Sequence, residues 1–130
     1  RADMTQAVLE GVAFALRDSF EVAKSLGVDI KATKICGGGA KSPLWKKMVA
    51  NILNVTVEVP KSEEGPSMGA AMLAAVACGA YKSVKEAAEA IVTVKETIEP
   101  DAELAAKYEA RYKQFREIYP VLRPLFQKLD

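Results

Sequence analysis

The stretch that decides the fold is Lys34-Ile-Cys-Gly-Gly-Gly-Ala-Lys-Ser-Pro-Leu-Trp-Lys-Lys-Met-Val-Ala50. A short apolar run, Ile30–Cys36, ends in three glycines, and Ser42-Pro43 then opens an amphipathic segment, so the order is strand, tight loop, helix. Glycines adopt backbone angles closed to other residues and let a ligand approach the main chain. The first turn of the helix behind them presents free N–H groups. Ser42 suits the N-cap because its hydroxyl can accept one of those groups, and Pro43 suits the first helical position because it has no N–H to lose.

Outward from this centre, residues 3–26 read as one long helix with Leu9, Ala13, Leu16, Phe20 and Ala23 along one face, closed by Gly27. Met4, Ala7, Val8, Val12 and Phe14 make its first half apolar almost all round, whereas Arg17, Asp18, Glu21 and Lys24 give the second half a wet side. Such a helix is either the central core helix or one whose surface belongs against further segments. The run Ile30–Cys36 suits a strand buried on both faces. Behind Ser42 the packing stripe is Trp45, Met48, Val49, Ile52 and Leu53, with Lys46, Lys47 and Asn51 off it and Asn54 as the end.

Val55, Val57 and Val59 alternate with polar residues as a strand closed by Pro60. The polar loop Lys61–Glu64 leads through Gly65-Pro66 to a helix of small residues, where Gly69 calls for another backbone, or the glycine loop itself, close by, and Gly79 ends it. Ser83 and Glu86 form a capping box for a short helix, and residues 92–99 read as an edge strand. Pro100-Asp101 opens a last helix striped by Leu104, Tyr108, Tyr112, Phe115 and Tyr119, with Pro120 expected to kink or end it. The whole is one domain of class α/β, rich in helix.

The 130 residues are 50% apolar and 27% charged, enough for a core, and 18 basic against 17 acidic side chains leave a net charge of +1. No block of like charge recommends nucleic acid or a membrane as partner. Nothing approaches the roughly 20 apolar residues of a membrane span, and no signal peptide pattern precedes the first helix, so the cytoplasm is the expected compartment. Two cysteines, Cys36 and Cys78, are too few for a disulfide scaffold and are expected reduced and buried. The opening at Arg1, directly in a helical pattern, reads as a cut from something longer.

Several chemistries are excluded by residue type. Without histidine there is no usual general base or commonest metal ligand, and adjacent Glu63 and Glu64 read as a solvated pair. A phosphate loop, Gly-x-x-x-x-Gly-Lys-Ser/Thr, fails because Ala40 stands before Lys41 and Ile35 stands where the first glycine belongs. A dinucleotide fingerprint fails because Ser42 stands where its third glycine belongs. Nucleotide binding through the glycine loop survives, beside the alternative of a purely structural turn in a non-catalytic α/β assembly module.

The residues also carry a resemblance. Gly37-Gly38-Gly39-Ala40-Lys41-Ser42-Pro43-Leu44-Trp45 with Met48, then Glu64-Gly65-Pro66-Ser67-Met68-Gly69-Ala70-Ala71-Met72-Leu73-Ala74, and the entering helix with Gln6–Phe14, resemble the C-terminal half of FGGY carbohydrate kinases, nearest their xylulokinase branch. The resemblance spans essentially the whole chain. It implies the actin-like, hexokinase-like (ribonuclease H-like) ATPase fold, with residues 1–130 as the adenosine-side part of its C-terminal domain. It implies ATP or ADP against Gly37, Gly38, Gly39 and Ala40, with Ser42 facing the adenine, and the Gly65–Ala74 helix as scaffold behind the loop. The reaction implied is transfer of the ATP γ-phosphoryl to D-xylulose, or to another sugar such as gluconate. The aspartate base, the sugar site and the β- and γ-phosphate loops, which with the phosphates hold Mg²⁺, belong to family segments outside this one. On that implication the 130 residues alone are inactive, meet sugar only through an N-terminal domain outside the chain, and can self-associate through exposed apolar helix faces.

Overall fold

A computed structural model describes residues 1–62 and 64–128. Helix α1, Ala2–Ser25, is followed by strand β1, Ala32–Lys34, a 3₁₀ turn at Gly38–Lys41 and helix α2, Pro43–Leu53. Then come β2, Thr56–Pro60, α3, Gly65–Ala77, α4, Val84–Ile91, β3, Val94–Ile98, and α5, Ala102–Phe126. The sheet order is β1-β2-β3, with β1 parallel and β3 antiparallel to β2.

Local chemistry sets the boundaries. At the end of α1, Gly27 at φ 85° lets its amide donate to Lys24 O and the Val28 amide donate to Ala23 O, the paired bonds of a Schellman cap. Gly79 ends α3 in the same way, through amides of Gly79 and Ala80 donating to Val76 and Ala75. Asn54 at φ 51° ends α2. Asp101 caps α5, accepting from the Leu104 amide at 2.9 Å. Ser83 caps α4, accepting from Glu86 N at 3.1 Å, while the Glu86 carboxylate takes the Lys82 amide at 2.8 Å.

The central helix is α2, not α1. One core cluster joins Ala13 and Phe14 of α1, Met48 and Ile52 of α2, and Tyr112 of α5. The other joins Val49, Ala50 and Leu53 of α2 to Val55 and Val57 beneath the sheet. Ile52 and Val57 are wholly enclosed. Helix α1 therefore packs along Phe14 and Arg17, leaving Leu16 exposed together with Met4, Val8 and Val12. The α5 stripe is used in its middle, where Tyr108, Tyr112 and Phe115 surround Phe14, while Leu104 and Tyr119 stay exposed.

Three side chains placed off the packing faces are buried, each by a distant partner. Arg17 donates to Ile52 O at 3.1 Å, pairs with Glu109 and lies 4.2 Å over the Tyr112 ring. Lys46 pairs with Glu96, and Asn51 Oδ1 accepts the Asp101 amide at 2.8 Å. A buried charge or amide is tolerated when such partners meet it.

Other expectations are corrected. Strand β1 is three residues long with only Thr33 half-buried, since one of its edges pairs with nothing in the sheet, so Cys36 is exposed; Cys78, at the end of α3, is exposed too. Both thiols are free. Helix α5 runs through Pro120 and Pro124 to Phe126, because each proline removes one N–H and the surrounding last turns are open to water. Among the described residues nothing lies within 4 Å of a Cβ built on Gly69; the close approach in this helix is at Gly65, where that atom would sit 2.7 Å from Cys36 Sγ.

Candidate nucleotide site

The three glycines hold different positions. Gly37 has φ 79°, a conformation that favours glycine, and turns the chain out of β1. The Ala40 amide donates back to Gly37 O and the Ser42 amide to Gly39 O, each at 3.1 Å, which closes the turn. Among the described residues nothing lies within 4 Å of a Cβ on Gly37 or Gly38, whereas a Cβ on Gly39 would lie 2.9 Å from the Trp45 indole. Ser42 accepts the Trp45 amide at 3.3 Å, so its hydroxyl caps α2.

Two clefts of about 270 Å³ each flank this turn and share Cys36, Pro60, Lys61 and Ser62. One brings Gly37, Ala40 and Lys41 of the turn over Lys46, Lys61, Lys95 and Glu96. Its described lining holds four lysines, of which Lys46 is paired with Glu96, so ammonium groups are at hand for an anion. The other is apolar, with Met68, Met72, Ile91 and Val92 among its walls. Of the anticipated contacts, Gly37 and Ala40 line the charged cleft, Gly38 adjoins it, Gly39 faces Trp45 and Ser42 is engaged at the cap. Lys46 was not legible as a cleft residue, because its partner Glu96 lies 50 positions away.

Tyr112 donates to Asp18 at 2.5 Å, and burial, then that carboxylate, pushes its phenol up to about 12. Burial raises the Glu21 carboxyl, but Lys24 and Arg17 together hold it below its ordinary value. Glu64 accepts from Ser67 Oγ at 3.1 Å, and Glu63 lies outside the described residues. Among the described residues no three His, Cys, Asp or Glu side chains cluster to hold a metal. None of their helices is long and apolar enough to cross a membrane.

Residues 1–78 match the C-terminal domain of the FGGY family of carbohydrate kinases. The chain belongs to that family. Its helix-rich α/β architecture is that of the FGGY C-terminal domain, within the actin-like sugar-kinase fold. A xylulose kinase of Staphylococcus epidermidis is 39% identical over 125 residues, which are 96% of this chain and 25% of that protein. The chain thus spans about a quarter of the length of such FGGY relatives. Two solved structures from Lactobacillus acidophilus superpose closely. Ligand-bound xylulose kinase has a TM-score of 0.81 at 27% identity, covering 98% of this chain and 26% of that one. Gluconate kinase has a TM-score of 0.85 at 26% identity, with the same coverages of 98% and 26%.

Proposed function

We propose that this chain is the adenosine-side, nucleotide-binding part of an FGGY sugar kinase, in which ATP gives its γ-phosphoryl to D-xylulose in the cytoplasm. The observation that carries the reading is the open main chain at Gly37 and Gly38 beside a cleft lined by lysines. Glycine there leaves room for a nucleotide, and the lysines suit its phosphates. Gly37, Gly38, Gly39, Ala40 and Ser42 are the proposed contacts, Gly39 and Ser42 through main chain. The sugar, the catalytic base and Mg²⁺ would be held by parts of a longer enzyme, so the 130 residues alone would not turn over ATP. Gluconate is the second reading for the sugar, since a gluconate kinase superposes as well as a xylulose kinase does.

Titration with ADP by calorimetry tests the reading. A Cβ at Gly38 meets no described residue within 4 Å, so Gly38→Val should obstruct what comes to the turn, with circular dichroism checking that the fold is kept. Saturable binding lost in that variant supports the reading, and equal binding in both proteins, or none at millimolar ADP, overturns it. The exposed row Met4, Val8, Val12 and Leu16 on α1 favours self-association of the isolated chain, and a strictly monomeric species in concentrated light scattering would refute that.

A further inference from the structure

We propose that Trp45 is a positioning residue that holds the glycine turn from behind, an inference that rests on the nucleotide reading above for its functional meaning. Trp45 stands in α2 two residues inside the Pro43 start, and its side chain folds back toward the turn it follows. A Cβ on Gly39 would meet indole Cδ1 at 2.9 Å and Nε1 at 3.0 Å. Among the described residues nothing comparable stands beside Gly37 or Gly38. The third glycine therefore admits the protein's own ring, while the first two face open space.

The residue is held at its main chain and at its side chain. Its amide donates to Ser42 Oγ at 3.3 Å, at the junction of turn and helix. Its side chain packs against both core clusters, the one with Phe14 and Tyr112 and the one with Val49 and Val57. Trp45 thus connects the most enclosed part of the molecule to a 3₁₀ turn closed by two main-chain bonds. A planar ring seated on both clusters fixes the position of Gly39, and through the Ala40 and Ser42 amide bonds it fixes the edge of the charged cleft.

The test is a double-mutant cycle in the 130-residue chain, combining Gly39→Ala with Trp45→Val, with Val49→Ala as a core control. Two quantities are measured, amide hydrogen exchange at Ala40 and Ser42 and ADP affinity. Trp45→Val should speed exchange at both amides about tenfold relative to Val49→Ala at matched stability. Gly39→Ala should weaken ADP about tenfold beside Trp45 and less than about twofold beside Val at position 45, the signature of direct coupling. Equal exchange in the Trp45→Val and Val49→Ala proteins, or additive effects in the cycle, would overturn the proposal. If Trp45→Val does not fold, Trp45→Phe replaces it in the same cycle. If the unmutated chain binds no ADP, the nucleotide reading fails while the exchange arm still decides whether Trp45 holds the turn.

Discussion

Helices α2 and α3 begin with the same device, a proline in the first turn behind a polar residue, and reach opposite situations. Seven of the 11 residues of α2 are buried, and none of the 13 in α3. Nor is apolar content the difference, because α3 is almost wholly alanine, methionine, leucine and valine after its start. What α2 has is partners on every side, with α1 and α5 across one face, the sheet beneath, and Trp45 reaching both clusters. Helix α3 packs chiefly on α4 and keeps Leu73 exposed. Start signals determine where a helix begins. Burial depends on which distant segments arrive to cover it.

The largest expected effect sharpens that contrast. Ile52→Ala removes a wholly enclosed side chain and should destabilise the fold by about 2–5 kcal/mol, whereas Leu73→Ala should change it by less than about 0.5 kcal/mol. Urea denaturation of both variants measures the difference, and comparable losses would mean that α3 has a covered face. Alkaline unfolding probes the core on which α2 packs and leaves α3 untouched. Tyr112 has a folded-state pKa raised to about 12, above the ordinary 10, so its contribution is fully present below pH 10 and lost as pH climbs toward 12. Helix α3 contains no titratable side chain. Stability of the Tyr112→Phe protein should therefore fall less steeply across that window, and an unchanged slope would remove Tyr112 as the cause.

Much of the architecture was legible because its signals are local. Ser42, Ser83 and Asp101 cap the helices where expected, Gly27 and Gly79 end theirs, and the valine alternation of β2 pairs as read. The misplaced polar residues have one physical source. Arg17 and Glu109 are 92 positions apart, and Lys46–Glu96 and Asn51–Asp101 are each 50 apart, so helical periodicity assigns those polar residues to water. The same limit applies at the site. Three consecutive glycines look equivalent in sequence, and only the folding back of Trp45 distinguishes Gly39 from its two neighbours.

A smaller effect probes the helix starts themselves. Ser42→Ala deletes an acceptor that the Trp45 amide uses and should lower stability by about 1 kcal/mol. Glu64 occupies the equivalent place before α3 but makes no side-chain cap bond there, so Glu64→Ala should stay within about 0.5 kcal/mol. Equal losses in thermal unfolding would show that α3 is capped in solution after all.

The smallest effect has the opposite sign. Gly69 lies inside α3 with nothing within 4 Å of where a Cβ would stand, and its φ is not positive. Glycine inside a helix is disfavoured relative to alanine because the unfolded chain loses more freedom on folding. Gly69→Ala should therefore stabilise the chain by up to about 1 kcal/mol, seen as a rise in its urea midpoint. A loss of stability instead would mean that another backbone rests against Gly69 in solution. Since nothing within the described residues occupies that place, a fall that deepened with protein concentration would identify a second copy of the chain as the neighbour.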